Sequence, residues 1–100
     1  MKIVVIRPSS RKEKKFEAII DGKTVPFGAK GMSDFTLHKD EARKQRYIKR
    51  HRGLGEDWGN AYSSGFYAYR VLWNRPTIEE SIADMNRRFS NYHFIFMNTR

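Results

Sequence analysis

The segment FEAIIDGKTVPF, residues 16–27, carries the strongest fold signal in the sequence. Two runs containing β-branched and aromatic residues flank Asp21-Gly22, and an Asp-Gly pair between such runs is typical of a tight β-hairpin turn. Pro26 has no backbone N–H, so the second strand should lie at a sheet edge or end early. The segment therefore predicts two antiparallel strands, Phe16–Ile20 and Lys23–Phe27.

Further strands are expected near both ends of the sequence. Ile3–Ile6 is a run of β-branched residues that predicts a short first strand. Asn91–Met97 is a mixed aromatic and aliphatic run, and we expect it to form a last strand with Ile3–Ile6 as a candidate neighbour. Between the first strand and the hairpin, Arg7–Lys15 predicts a polar, basic connection.

Three helices are expected between residues 40 and 89 of the sequence. Asp40–Arg52 predicts a helix because a good N-cap residue begins it and a glycine follows it. Phe66–Trp73 is apolar nearly all round, and we interpret it as a short buried helix, with a strand as the alternative. Thr77 and Glu80 fit a capping box for a third helix with an apolar stripe at helical spacing. The stripe consists of Ile78, Ile82, Met85 and Phe89.

Together these elements predict an α+β fold, a small antiparallel sheet of three or four short strands packed with about three helices. A chain of 100 residues without a long linker is expected to form a single domain, residues 1–100. We expect the second and third helices to supply the main core, and a turn near residue 35 to point Phe35 and Leu37 inward. Residues 90–100 are expected to be a C-terminal extension that contains the last strand.

Positive charge dominates the composition, with 20 Lys and Arg against 11 Asp and Glu for a net charge of +9. Residues 1–15 contain six basic residues and one acidic residue, and residues 39–52 contain seven basic and two acidic residues. Each segment therefore carries +5, and the rest of the chain sums to −1. Charge confined to two short segments favours contact with a polyanion over a general role in solubility.

The composition argues against several other classes of protein. Cysteine is absent, which excludes disulfides, thiolate metal sites and a cysteine nucleophile. The apolar runs are too short for a signal peptide or a transmembrane helix, so we expect a protein that is neither secreted nor membrane-spanning. His38, His51 and His93 are widely spaced and the carboxylates are scattered. We therefore expect no bound metal, no other cofactor and no enzyme activity.

The predicted helix at Asp40–Arg52 offers candidate phosphate contacts. At 3.6 residues per turn, four cations fall on one narrow stripe: Lys39, Arg43, Arg46 and Arg50. We expect this stripe, with Lys49, to contact phosphates, and the basic connection to add Lys12, Lys14 and Lys15. The alternative is a solvated helix face without a partner. The tyrosines are interpreted as packing residues rather than base-stacking ones.

A set of spaced blocks between residues 14 and 89 is also informative. The blocks are Ser33-Asp34-Phe35-Thr36-Leu37-His38-Lys39-Asp40, Arg43-Lys44, Arg46-Tyr47-Ile48, Arg50-His51, Glu56-Asp57-Trp58, Gly65-Phe66, Leu72-Trp73-Asn74, Pro76-Thr77, Ser81-Ile82 and Arg88-Phe89. Together they resemble a family of short basic proteins encoded by nucleocytoplasmic large DNA viruses of algae and amoebae. The resemblance implies a viral origin, a location in the virion or the infected host cell, and no established catalytic chemistry. It transfers no site residues.

These observations favour a viral, non-catalytic protein that binds nucleic acid without sequence preference or is associated with the genome. DNA is the favoured nucleic acid. The alternative is a virion structural protein, such as a minor capsid or internal component, that binds acidic protein or membrane surfaces. A nuclease-like enzyme is a minor alternative. Other virion proteins are possible partners in either case, and the sequence does not predict an oligomeric state.

Overall fold

The helices cover one face of a four-stranded sheet in the computed structural model, which describes residues 1–98. In chain order the elements are β1 (Lys2–Pro8), β2 (Lys14–Ile20), β3 (Lys23–Ala29), α1 (Phe35–His38), α2 (Glu41–Gly53), α3 (Ser64–Tyr67) with its continuation as a π-helix (Ala68–Leu72), α4 (Ile78–Arg88) and β4 (Tyr92–Phe96). This arrangement confirms the predicted α+β class.

The predicted hairpin is present, with Ile20 paired to Lys23 and a turn at Asp21 and Gly22. Both turn residues have positive φ, 52° and 73°, as a tight hairpin turn of this kind requires. The strand order is β3-β2-β1-β4, so Pro26 lies on an edge strand as expected.

The last strand lies beside β1, with Ile6 paired to Phe96, but the two strands run parallel. The sheet is therefore mixed, whereas the sequence predicted an antiparallel one. A parallel pair needs a long crossover between its strands. Here the hairpin and all the helices intervene between β1 and β4. Of the expected C-terminal extension, Thr99 and Arg100 lie outside the described residues.

The core lies between the sheet and the helices, so the expectation that two helices supply its main contact was wrong. The sheet contributes Val4, Ile6, Ala18, Ile20, Phe27 and Phe94, and the helical layer contributes Phe66, Tyr67, Val71, Leu72, Ile82 and Met85. Tyr67 stacks on Phe27 with ring centroids 5.5 Å apart. The sheet contributes this many core residues because alternate side chains of each strand point toward the helices.

The predicted helices are confirmed, with one local correction. Phe66–Trp73 is helical through Leu72, so the alternative strand was wrong. The hydroxyl of Thr77 accepts from the Glu80 backbone N–H at 3.1 Å and so caps α4. Phe35 is buried, but Leu37 is 65% exposed and does not point inward. The single helical turn of α1 can bury only one of these two side chains.

Gly28 allows β3 to approach the π-helix closely. Its φ is +78°, and a Cβ placed there would lie 2.7 Å from Cδ1 of Leu72. A side chain at this position would therefore be strained by its backbone conformation and would also collide with the core. Within residues 1–98, no helix is long and apolar enough to span a lipid bilayer.

Candidate functional site

One side of α2 is fixed to the protein by aromatic stacking. Tyr47 is its buried residue, and its ring lies 4.3 Å from Trp73 with the planes 3° apart and 4.1 Å from His51. Burial raises the pKa of the Tyr47 hydroxyl well above its usual range. Lys44 extends this anchored side, since its Nζ donates to the carbonyl of Asn74 at 2.6 Å. The remaining sides of α2 face solvent.

The solvent-facing sides of α2 carry unpaired cations. Arg43, Arg46, Lys49 and Arg50 are exposed, and none of them has a carboxylate partner among residues 1–98. Arg52, which the predicted stripe did not include, is exposed as well. The Asp40 side chain caps the helix by accepting from the Ala42 and Arg43 backbone N–H groups, as predicted.

Lys39 does not continue the stripe. It is the C-cap of α1, with a left-handed φ of 54°, and α2 begins only at Glu41. Its Nζ donates to the carbonyl of Thr36 at 2.7 Å. The helical spacing assumed from the sequence therefore does not apply to Lys39, because the chain changes direction there.

The basic segment before the hairpin is partly neutralised by internal ion pairs. Only Lys12 lies in the connection, since Lys14 and Lys15 already belong to β2, contrary to prediction. Lys15 is 2.5 Å from the buried carboxylate of Asp34 and is not free for a partner. Arg7 is likewise paired with Glu17 at 2.9 Å. Lys12 and Lys14 keep unpaired charges within the described residues.

A cleft of about 340 Å³ brings the two basic segments together. Lys14 and Lys15 of β2 line it together with Arg50 of α2. Its apolar lining includes Phe27, Ala68, Leu72 and Trp73. We call this space the α2 cleft. Sequence reasoning missed it, because its lining comes from four separate stretches of the chain and carries no local motif.

One edge of the α2 cleft holds a histidine and a glutamate. Nδ1 of His51 lies 3.0 Å from Oε2 of Glu56, and the same carboxylate accepts from Nε1 of Trp58 at 3.1 Å. Trp58 in turn stacks on Tyr69 at 4.1 Å, so it anchors the loop that carries Glu56. Within residues 1–98, no three histidine or carboxylate side chains come together as metal ligands would.

A second group of arginines is held by one buried carboxylate. Asp84 accepts from Arg75 and Arg87 at 3.2 and 3.3 Å, and from Asn74 and Arg88 at 2.9 Å each. Burial by itself would raise the pKa of Asp84, but these hydrogen bonds outweigh it and hold the pKa well below its usual range. These arginines are thus partly neutralised, whereas the cations of α2 are not.

Residues 4–51, just under half of the chain, match a family of unknown function (DUF5754). The match extends from within β1 through most of α2 and so includes both basic segments except Lys2 and Arg52. No curated protein and no solved structure matches the chain.

Proposed function

We propose that the protein binds nucleic acid without sequence preference and without catalysis, through phosphate contacts from α2 and from Lys12 and Lys14. The main support is that two segments with unpaired cations line or flank the same cleft. Lysine and arginine that contact phosphates displace condensed counterions, which produces affinity without reading the bases. Following the resemblance to viral proteins, we take the genome of a large DNA virus as the natural partner.

The fixed geometry of α2 supports this proposal. Stacking of Tyr47 on Trp73 holds one side of the helix against the protein, so the other sides present their cations in a defined arrangement. Arg43, Arg46 and Arg50 recur at intervals of three and four residues and so share one side of α2. A row of charges of this kind suits the regular spacing of a phosphate backbone.

The test is the salt dependence of binding to a duplex of about 20 base pairs, measured by fluorescence anisotropy between about 50 and 200 mM salt. Seven exposed or half-buried cations of these two segments have no carboxylate or backbone carbonyl partner among residues 1–98, namely Lys12, Lys14, Arg43, Arg46, Lys49, Arg50 and Arg52. The slope of log K against log salt should therefore be no steeper than about −6, since each phosphate contact contributes about −0.9. No binding at about 50 mM salt would contradict the proposal.

A matched pair of variants separates a defined surface from net charge. Arg43→Gln with Arg46→Gln should make the slope shallower by about 1.8. Lys23→Gln with Arg87→Gln removes the same charge from the start of β3 and from α4, and should leave the slope nearly unchanged. Equal slopes for the two double variants would show that only overall charge matters.

The second candidate, a virion structural protein, is favoured by the sheet face that the helices leave uncovered. Ile3 is 60% exposed and Ile95 is 36% exposed on this face. Exposed aliphatic side chains on adjacent strands can contact another protein. An acidic protein that competes with the duplex at equal charge concentration would favour this alternative. Absence of the protein from purified virus particles would exclude it.

A further inference from the structure

The α2 cleft combines cations with an apolar lining, which a bare phosphate site does not need. We propose that it holds one unpaired nucleotide, with the phosphate on Lys14 and Arg50 and the base against Trp73, Leu72 and Ala68. This inference rests on the proposed function, because that phosphate is taken to belong to the backbone that α2 contacts. It adds a preference for single-stranded segments or strand ends.

The charges of the lining suit one phosphate group. Its ionised side chains are three cations, Lys14, Lys15 and Arg50, and two carboxylates, Asp34 and Glu56. Asp34 is neutralised by Lys15 at 2.5 Å. Together these five lysine, arginine and carboxylate side chains carry a net charge of +1, equal and opposite to that of a phosphodiester. Among residues 1–98, Lys14 and Arg50 have no carboxylate partner that would have to be displaced.

The apolar part of the lining suits a flat aromatic group. Trp73 is half-buried, and its plane is fixed because Tyr47 stacks on it at 4.3 Å and the tilted His38 ring lies 5.3 Å from it. A base in the cleft would contact the part of the indole that these two rings leave uncovered. Nucleic-acid-binding proteins use such fixed aromatic rings to hold unpaired bases regardless of sequence. A duplex keeps its bases stacked inside and cannot place one in the cleft unless it is flipped out.

The volume limits the occupant to about one nucleotide. A cleft of about 340 Å³ lies at the lower end of the range of about 300–1,000 Å³ that small-molecule sites occupy. A neighbouring nucleotide would have to lie outside, along the exposed cations of α2. The chemistry recognised is a nucleoside phosphate, whether it is part of a strand or free in solution.

The experiment fills the cleft without changing its charge. Ala68 and Ser64 line the cleft, and Ser63, not Ser64, caps α3. We would prepare Ala68→Leu and Ser64→Leu separately, so that one variant remains if the other does not fold. Binding of a single-stranded oligonucleotide, of adenosine 5′-monophosphate and of inorganic phosphate would be measured by Trp fluorescence and calorimetry, with duplex binding by anisotropy.

Wild type should bind the single strand more tightly than the duplex at equal phosphate concentration. Both filled variants should lose about 5- to 150-fold in single-strand affinity, the range expected for one stacked base, and keep their duplex affinity. Adenosine 5′-monophosphate should bind more tightly than inorganic phosphate and lose its affinity in the same variants. If adenosine 5′-monophosphate binds more tightly than the single-stranded oligonucleotide, the natural ligand of the cleft is a free nucleotide rather than part of a strand.

Two results would overturn the inference. One is equal binding of single strand and duplex by wild type and by the filled variants. The other is binding of inorganic phosphate as tight as that of the nucleotide. In both cases the duplex salt slope could still be normal, which would leave the proposed function intact. A flat duplex slope would instead contradict the proposed function.

Discussion

Asp84→Asn tests whether one buried carboxylate organises the end of the helical layer. The side chain is nearly fully buried and accepts hydrogen bonds from Asn74 and from three arginines. Asparagine keeps the shape, removes the charge and turns one oxygen into a donor that faces other donors. Because the folded pKa is depressed, the ionised form stabilises the native state.

The magnitude follows from the exposure of the partners. Hydrogen bonds to a charged group contribute about 1.5–3 kcal/mol each when shielded from water. The three arginine side chains are 42–65% exposed, so solvent reduces each of their contributions to about 1 kcal/mol or less. Together with the bond from Asn74, we expect the variant to lose about 2–3 kcal/mol of unfolding free energy at pH 7.

The stability that Asp84 contributes should decrease as the pH falls. An unfolded aspartate titrates near pH 3.9, and folded Asp84 titrates below that. The stabilisation is therefore complete above about pH 5 and is lost as the pH falls. At about pH 3 the unfolded chain has largely bound its proton and the folded carboxylate has not. This should reduce the difference in unfolding free energy between wild type and variant by about 1 kcal/mol.

The assay is urea denaturation of wild type and variant near pH 7 and near pH 3, followed by circular dichroism. Asp57→Asn is the matched control, since Asp57 is exposed and an amide can still accept from the Gly59 backbone N–H. The control should change stability by less than about 0.5 kcal/mol at either pH. The reasoning would be refuted if the difference in unfolding free energy between wild type and Asp84→Asn were the same at both pH values, or larger near pH 3.

Four further variants can be measured by the same denaturation assay. Gly28→Ala should cost about 2–4 kcal/mol from its positive φ and the contact with Leu72, whereas Gly31→Ala, with a φ of +89° and open space around it, should cost only about 1–2. Tyr67→Phe should be neutral or stabilise by up to about 1 kcal/mol, because within residues 1–98 the buried hydroxyl has no partner; a clear loss would contradict this. Thr77→Ala should cost about 1 kcal/mol through loss of the α4 cap, and no loss would show that the cap is dispensable.

The parts of the fold that the sequence predicts are those decided by neighbouring residues. The Asp21-Gly22 hairpin, the Asp40 and Thr77 caps and the apolar stripe of α4 all follow from local patterns. The parallel pairing of β1 with β4 does not, because a strand pattern fixes neither the direction nor the identity of a distant partner. Local propensities likewise could not show that the sheet supplies much of the core.

Some features of the candidate site likewise follow from local sequence, and others appear only in the folded chain. The exposed cations of α2 follow from charge and helical spacing, and only Lys39 departs, because α1 and α2 are separate helices. The loss of Lys15 to Asp34 was invisible in the sequence, since the two residues lie 19 positions apart and meet only in the folded chain. The α2 cleft forms only where four stretches of the chain converge, so its apolar lining could not be inferred from any one of them.

The position of β1 has a consequence for synthesis on the ribosome. β1 is an inner strand, yet its parallel neighbour pairs through residues such as Tyr92, which lies 90 positions beyond Lys2. At about 5–20 residues per second, translation leaves one edge of β1 open for on the order of 5–20 s. During that interval the nascent chain exposes an unpaired strand edge that chaperones could protect, and the sheet closes only when its last strand emerges.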